Sequence, residues 1–263
     1  MKKAIISLSF DDGRGDNLDV FRNILIPMSI PATINVTAGY VDGTCPEHLS
    51  PSPKKAMTVD EVIALVQNPL VEIAMHGDRH LNTPEDIAAG RAKLIRWLGL
   101  ADSDQLGFAS PGSGLKVGMF LNNRTQLFQE QISYLRTSLR IQRHYWLRTL
   151  CRKAGRVIHI PMLYKIAYAD TLMDCCRDRV IYSIPVMKDT TFGQIKAIVD
   201  LAIKRRCGLT LMFHSILENT DGEDNWSWKK HDFVKLCEYL KKRTDDGSLE
   251  VMTTQDIFRS LQG

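Results

Sequence analysis

The chain has 263 residues, of which 44% are hydrophobic and 24% are charged. This composition is ordinary for a globular protein, and the length suffices for one large core, as in α/β barrels of similar size. The formal net charge of +4 is too small to indicate a nucleic-acid partner. No stretch approaches the roughly 20 apolar residues that cross a bilayer, so we expect no stable membrane insertion.

The first residues do not have the pattern of a secretory signal. The apolar run after Lys2 and Lys3 stops at Asp11 and Asp12, which makes it too short and too acidic. The six cysteines show no Cys-x-x-Cys spacing, so free thiols are a better interpretation than a disulfide framework. These features predict a cytoplasmic protein.

Short apolar runs alternate with helical patterns along the chain, which indicates an α/β barrel or a layered sheet. The predicted strands are residues 4–10, 31–36, 71–75, 106–109, 180–185, 208–213 and 249–252. The predicted helices are residues 17–27, 58–67, 83–98, 191–206, 228–243 and a last one that begins at Thr253. No internal repeat or low-complexity linker interrupts the pattern, which favours one domain over residues 1–263.

A basic stretch stands out within residues 115–179, which we interpret as a largely helical insert. Residues 131–169 contain no Asp or Glu, but they contain Arg136, Arg140, Arg143, Arg148, Arg152, Lys153, Arg156 and Lys165. The first three have helical spacing and are expected on one face of a helix. Two interpretations remain open. The face is either solvated or an oligomer contact, or it binds an anionic substrate such as a nucleotide sugar, a lipid-linked sugar or an acidic glycan.

Polar side chains follow three predicted strands, at the end where barrel enzymes build their active sites. Asp11 and Asp12 follow the first strand. Adjacent carboxylates repel each other unless a cation or a proton lies between them, although an Asp-Asp-Gly sequence is also a common turn. His214 follows the strand 208–213, and it is either a residue of the barrel mouth or a hydrogen-bonded structural histidine.

His76 and His80 follow the strand 71–75 and have the i, i+4 spacing that lets two imidazoles bind one metal ion. Such a pair also occurs by coincidence on protein surfaces. With a carboxylate from another strand end it becomes a two-histidine, one-carboxylate site. That ligand set suits catalytic zinc, and also cobalt, nickel or iron.

In this order, the segments Ser9-Phe10-Asp11-Asp12-Gly13, His76-x-x-x-His80 and Leu211-x-x-His214 resemble the motifs of the polysaccharide deacetylase family, the NodB-homology enzymes of carbohydrate esterase family 4. The resemblance spans most of the chain. It implies a distorted (β/α) barrel of about seven strands that is related to the TIM barrel. It also implies hydrolysis of N-acetyl or O-acetyl groups, most often on N-acetylglucosamine units.

The resemblance further implies a role for each matching residue. Asp12, His76 and His80 would bind the divalent metal. Asp11 would be the general base, and His214 would be the general acid that protonates the leaving amine or hydroxyl. The implied partner is an acetylated amino sugar or glycan, whereas the oligomeric state is left open.

The third motif of the family departs from the pattern, because Ala109 stands where an arginine is usual. Without that arginine the pKa of Asp11 is expected to be higher, unless Arg79 or Arg136 reaches it. Pro111 and Gly112 follow, and the Gly112 N–H is the predicted oxyanion donor in place of that of the usual tyrosine.

Other departures concern the surroundings of the site. Gly77 replaces a Ser or Thr that commonly braces the histidine loop. The fourth motif is not recognisable, so Asp170, Asp174 and Asp189 are all candidate partners of His214. The sequence Trp226-Ser227-Trp228 offers an aromatic wall for a sugar ring, with Trp228 either in that wall or in the core.

Three hypotheses follow. The first is an N-deacetylase that acts on an acetylated amino sugar during glycan, lipopolysaccharide or small-molecule synthesis. The second is a hydrolase of another amide on the same barrel, against which the presence of Asp11 argues. The third is a catalytically weak glycan-binding or metal-binding homologue, which Ala109 supports.

Overall fold

The computed structural model describes residues 3–45, 55–138, 146–176, 178–221 and 225–262. Its strands are β1 (Ala4–Phe10), β2 (Ala32–Val36), β3 (Val71–Met75), β4 (Leu106–Ala109), β5 (Ile132–Ser138), β6 (Val180–Pro185), β7 (Gly208–Phe213), β8 (Ser215–Leu217), β9 (Ser227–Lys229) and β10 (Leu249–Val251). Its α-helices are α1 (Gly15–Val20), α2 (Ala38–Val41), α3 (Val59–Val66), α4 (Pro84–Leu98), α5 (Val117–Asn122), α6 (Trp146–Ile158), α7 (Pro161–Tyr168), α8 (Phe192–Arg205), α9 (Lys230–Asp245) and α10 (Thr254–Leu261).

Strands β1 to β7 form a closed parallel barrel in chain order. Each pairs with the next, and β7 pairs with β1 in a register that runs from Ile5 opposite Gly208 to Phe10 opposite Phe213. Helices connect the strands. The distorted (β/α) barrel of about seven strands is therefore confirmed.

Local sequence signals explain where several helices begin and end. Thr58 and Glu61 form a capping box at the start of α3, and Thr191 and Gln194 form one at the start of α8. Gly99 ends α4 in the left-handed conformation that glycine adopts without strain. All seven residues of β1 are buried, as expected for a strand at the centre of a parallel sheet.

The membership of the barrel differs from the prediction in two places. The predicted set lacked β5 and used residues 249–252 to complete the ring. In the structure, β10 pairs only with the first half of β1, at Ala4–Ile6, and β5 completes the ring instead. Strand β5 was not predicted because it contains the basic residue Arg136, which interrupts its apolar pattern.

The prediction for the basic stretch also needs correction. Arg136 does not lie on a helix face with Arg140 and Arg143, because it belongs to β5 and is fully buried. Arg140 and Arg143 lie outside the described residues. Residues 115–179 therefore include a strand of the barrel, β5, in addition to the helices α5, α6 and α7.

The parallel barrel brings the carboxyl ends of its strands together. Phe10 and Phe213 are register partners, and the Asp11 N–H donates a hydrogen bond of 2.9 Å to the Phe213 carbonyl. Asp11 and His214 therefore leave the barrel side by side. Among the described residues, no helix combines the length and apolar composition that spanning a membrane requires.

Candidate metal and catalytic site

Asp12, His76 and His80 form the one cluster of potential metal ligands found in the described parts of the chain. Oδ1 of Asp12 is 3.5 Å from Nε2 of His76 and 3.6 Å from Nε2 of His80. The two Nε2 atoms are 3.1 Å apart. The fold thus joins the three predicted metal ligands, which come from the ends of β1 and β3.

The spacing and the chemistry of this cluster fit a metal ion. Donor atoms bound to one ion at about 2.1 Å with near-tetrahedral angles are roughly 3.4 Å apart, close to the separations seen here. Nδ1 of His76 lies 2.8 Å from the Ala109 carbonyl, which fixes the tautomer and leaves Nε2 as the donor atom for a metal. Burial, only partly opposed by Asp11, lowers the pKa of His76 to about 4. The ring is therefore neutral near neutral pH, as metal binding requires.

The second carboxylate oxygen of Asp12 faces a cation. Nη1 of the buried Arg14 is 3.7 Å from Oδ2 of Asp12. Oδ1 is thereby directed to the histidines and Oδ2 to the guanidinium, which orients the carboxylate. Arg14 was not predicted as a site residue. The feature of the sequence that could have identified it is its position two residues after Asp12.

The backbone at two of the three residues in this cluster, Asp12 and His80, is strained. Asp12 has φ of +78° and His80 has φ of +61°, which is the left-handed region that residues other than glycine seldom adopt. Such strain persists only where the surroundings enforce it, and it is concentrated at functional sites.

Asp86 enforces the conformation of the histidine loop. Its buried carboxylate, at the start of α4, accepts hydrogen bonds of 3.1, 2.8 and 3.0 Å from the N–H groups of Asp78, Arg79 and Leu81. These residues lie between the two histidines or directly after them. Asp86 was not predicted as a site residue, because acidic residues are common in the first turn of a helix, where they stabilise the helix end.

Gly77 is required for this arrangement. Its φ is +81°, and a Cβ at this position would lie 2.4 Å from Oδ2 of Asp86. The Ser or Thr that commonly occupies this position in the family would clash. The bracing that such a residue supplies is provided here by Asp86.

Asp11 is held by two donors that the barrel brings to it. Its Oδ1 accepts hydrogen bonds from Nη2 of Arg136 and, at 2.8 Å, from Nδ2 of Asn35. Burial opposes ionisation, but the charge and the hydrogen bond of Arg136, with smaller effects of His76 and His214, outweigh it and lower the pKa of Asp11 to about 2. Asp11 is therefore a carboxylate near neutral pH.

Arg136 is thus the arginine that the third motif lacked. Of the two candidates, Arg79 is exposed, whereas Arg136 is fully buried and paired with Asp11. Ala109 and Arg136 are register partners on neighbouring strands, so Arg136 on β5 extends its guanidinium from the position next to Ala109 on β4. Asn35 was missed, although an amide within the apolar run of β2 was a usable signal.

His214 is partly buried, and its ring lies 4.6 Å from that of Trp226, centroid to centroid. Its Nδ1 has no hydrogen-bond partner among the described residues, so none of the three predicted aspartates bonds to this atom. Asp170 is paired with Arg148 instead.

Trp228 does not belong to an aromatic wall. It is 1% exposed, packs against Phe213 and Phe233, and donates a hydrogen bond from Nε1 to the Thr190 carbonyl. Its placement in the core, one of the two predicted alternatives, is correct, whereas its assignment as a substrate contact is wrong. Trp226, which is 36% exposed beside His214, is the tryptophan that a ligand can reach.

Pro111 and Gly112 form a tight turn directly after β4. The Pro111 carbonyl accepts a hydrogen bond of 2.9 Å from Asn82, which ties the turn to the segment after His80. Gly112 has φ of +54°. The oxyanion role of its N–H stays a prediction.

No protein-family model matches the sequence, and no curated protein matches it. Solved structures do match. The family 4 acetyl xylan esterase of Clostridium thermocellum, solved with a cobalt ion, is 14% identical, with 97% of this chain and 91% of that one covered and a TM-score of 0.51. The Xyl-CE4 domain of a xylanase from the hindgut metagenome of Trinervitermes trinervoides is 12% identical, with 98% and 91% covered and a TM-score of 0.50.

A partial match is the deacetylase domain of BpsB from Bordetella bronchiseptica. It is 18% identical, covers 50% of this chain and 62% of that one, and has a TM-score of 0.38. The two nearly full-length matches define the class of structure. The chain has the fold of the carbohydrate esterase family 4 enzymes, in a divergent form, and it carries an Asp-His-His cluster at the carboxyl end of the barrel.

Proposed function

We propose that this chain is a metal-dependent hydrolase of the polysaccharide deacetylase family that removes an acetyl group from an acetylated amino sugar or glycan. The observation that carries the proposal is the proximity of two units, the triad of Asp12, His76 and His80 and the buried Asp11–Arg136 pair. Nε2 of His76 lies 4.0 Å from Oδ2 of Asp11. The structural similarity to an acetyl xylan esterase supports hydrolysis of an acetyl group as well.

The triad would hold a divalent metal. Two imidazoles and one carboxylate suit zinc best, and cobalt, which the esterase of Clostridium thermocellum was solved with, suits them too. Such an ion makes water a better nucleophile by lowering its pKa and polarises the carbonyl of the acetyl group.

Asp11 would accept the proton of the attacking water at Oδ2. Its Oδ1 is occupied by Arg136 and Asn35, whereas Oδ2 is on the side of His76. Because the pKa of Asp11 is lowered to about 2, the residue is an ionised carboxylate over the whole neutral range, the protonation state that a general base needs.

His214 would donate a proton to the leaving group. It emerges beside Asp11 at the carboxyl end of the barrel. An amine is a poor leaving group without protonation, so a positioned acid favours N-acetyl substrates. Trp226, packed against His214, would stack on the sugar ring.

The non-catalytic alternative rested on the missing arginine at position 109. Arg136 supplies that guanidinium, so this support is gone. Hydrolysis of another amide uses the same groups, and a substrate panel distinguishes it from deacetylation.

The test measures acetate release from N-acetylglucosamine oligomers, UDP-N-acetylglucosamine and an aryl acetate, with protein that is chelated and then reloaded with zinc or cobalt. We expect release that chelation abolishes and metal restores. Asp11→Asn should keep the metal and lose about 100-fold or more in turnover, whereas Asp19→Asn, on the exposed face of α1, should behave as wild type. Stoichiometric metal without acetate from any substrate would contradict the proposal.

A further inference from the structure

Helices α6 and α7 expose an unusual amount of apolar surface. Trp146 is 68% exposed and Val157 is 77% exposed. The other exposed apolar residues of this region are Leu147, Leu150, Ile158, Ile160, Met162 and Ile166. We call these eight residues the α6–α7 face. Contiguous apolar surface of this kind marks an interaction site, because a monomer in water gains by burying it.

Helix α6 is attached to the barrel by its opposite side. Cys151 is buried, and the Gly155 carbonyl accepts a hydrogen bond of 2.7 Å from Nε2 of Gln194 on α8. Trp146, Leu150 and Val157 recur at helical spacing on the side that points away. The helix is therefore amphipathic, with its exposed side apolar.

The charged residues within helices α6 and α7 themselves have one sign. Residues 146–168 contain Arg148, Arg152, Lys153, Arg156 and Lys165 and no acidic residue. Arg148 pairs with Asp170, just beyond α7. An apolar helix face bordered by lysine and arginine is the pattern of helices that lie in the interface of an anionic membrane.

The face reaches the end of the barrel that carries the metal site. Helix α8 begins after the carboxyl end of β6, and Gln194 in its first turn contacts Gly155 near the end of α6. At the other end of α8, Arg205 bonds to the Ala169 carbonyl beyond α7 at 3.0 Å. Helix α7 therefore runs in the same direction as α8, and Val157, Ile160 and Met162 lie at the level of the catalytic end.

We propose that the α6–α7 face docks on the surface of an anionic lipid bilayer, with the apolar side chains in the headgroup boundary and the basic residues on the phosphates. A second copy of the chain fits less well. A two-fold contact through this face would bring two sets of the same cations together, and neither α6 nor α7 has an acidic residue to pair with them.

The experiment is flotation of the full-length protein with vesicles of phosphatidylcholine, alone or mixed with phosphatidylglycerol. We expect binding to the mixed vesicles that high salt weakens. Leu150→Glu/Val157→Glu and, separately, Arg152→Glu/Lys153→Glu should each weaken it about tenfold or more. Lys241→Glu/Lys242→Glu on α9 and Met119→Glu on α5 are the matched controls, because they change exposed residues outside the face.

Two readouts separate this proposal from others. All variants should keep the wild-type melting temperature and the wild-type rate on a soluble acetylated substrate, since the changed side chains are exposed or, for Arg152, only partly buried, and all lie outside the catalytic site. Absence of binding, or binding that the two control variants reduce equally, would overturn the proposal. So would a dimer in light scattering that Leu150→Glu/Val157→Glu dissociates, because the occupant would then be a second copy.

Discussion

The guanidinium of Arg136 on β5 and the carboxylate of Asp11 after β1 form a buried ion pair at the barrel mouth, between strands that are not neighbours. Arg136 is fully buried and Asp11 is 3% exposed. Each charge would be costly to bury alone, so each depends on the other. Asn35 completes the set of donors to the same oxygen of Asp11.

Arg136→Met should shift the acidic limb of kcat/KM to higher pH. The folded-state pKa of Asp11 is lowered from 3.8 to about 2, so the pair stabilises the protein above pH 3.8 and this contribution disappears as the pH falls toward 2. Without the guanidinium, burial dominates and the pKa of Asp11 rises. Activity should fall about 100-fold at mildly acidic pH, and stability by about 3–5 kcal/mol. A pH profile and a denaturant melt measure both effects.

Arg79→Met is the control, since Arg79 is exposed and does not contact Asp11; its pH profile should match that of the wild type. Ala109→Arg in the Arg136→Met background returns a guanidinium from the register partner on β4. We expect this double variant to move the acidic limb back toward its wild-type position. An unchanged profile in Arg136→Met would contradict the role of the ion pair.

Asp86→Asn should weaken metal binding about 10-fold to 100-fold. An amide oxygen can replace only part of the three backbone hydrogen bonds that the carboxylate accepts, so the loop between His76 and His80 loses its conformation. Metal titration by calorimetry measures the affinity. Glu85→Gln is the matched control, because it removes an exposed charge from the same turn of α4. Equal affinities of both variants would mean that Asp86 does not hold the loop.

Gly77→Ala should lower the free energy of unfolding by more than the positive φ of this residue alone explains. Gly99 has φ of +64° with no atom near its Cβ position, so Gly99→Ala reports the backbone cost, about 1–2 kcal/mol. Gly77→Ala adds the contact with Asp86 and should destabilise the protein by roughly 1–3 kcal/mol more. It should also weaken metal binding, whereas Gly99→Ala should not. Urea unfolding and metal titration test this difference, and similar values for the two variants would argue against the clash.

Trp226→Ala and Trp228→Ala should have opposite signatures. Trp226→Ala removes an exposed ring beside His214, so we expect a higher KM for a sugar substrate and little change in melting temperature. Trp228→Ala removes a buried ring from an aromatic cluster and should cost about 3–5 kcal/mol. Steady-state kinetics and calorimetric melting separate the two. A normal KM in Trp226→Ala would exclude the stacking role.

The sequence alone determined the class of fold and the centre of the site. Apolar runs of strand length with helices between them indicate an α/β barrel or a layered sheet, and the motif resemblance favours the barrel. In a parallel barrel the polar residues directly after β1, β3 and β7 meet at the carboxyl end. For this reason Asp11, Asp12, His76, His80 and His214 were all predicted by position. Each of these residues closely follows an apolar run that predicts a strand, so the residues next to it in the sequence were enough to indicate its place at the end of that strand.

Only the tertiary structure decided which distant side chains complete the site. Arg136 reaches Asp11 across 125 positions of sequence, and its basic surroundings resemble a helical face. Asp86 looks like an ordinary helix cap, and Trp226 and Trp228 are two residues apart, yet one is exposed and the other is core. Trp228 lies in β9 whereas Trp226 precedes it, so strand alternation does not relate the two rings, and charge pairing depends on barrel closure; spacing along the chain therefore does not contain these contacts.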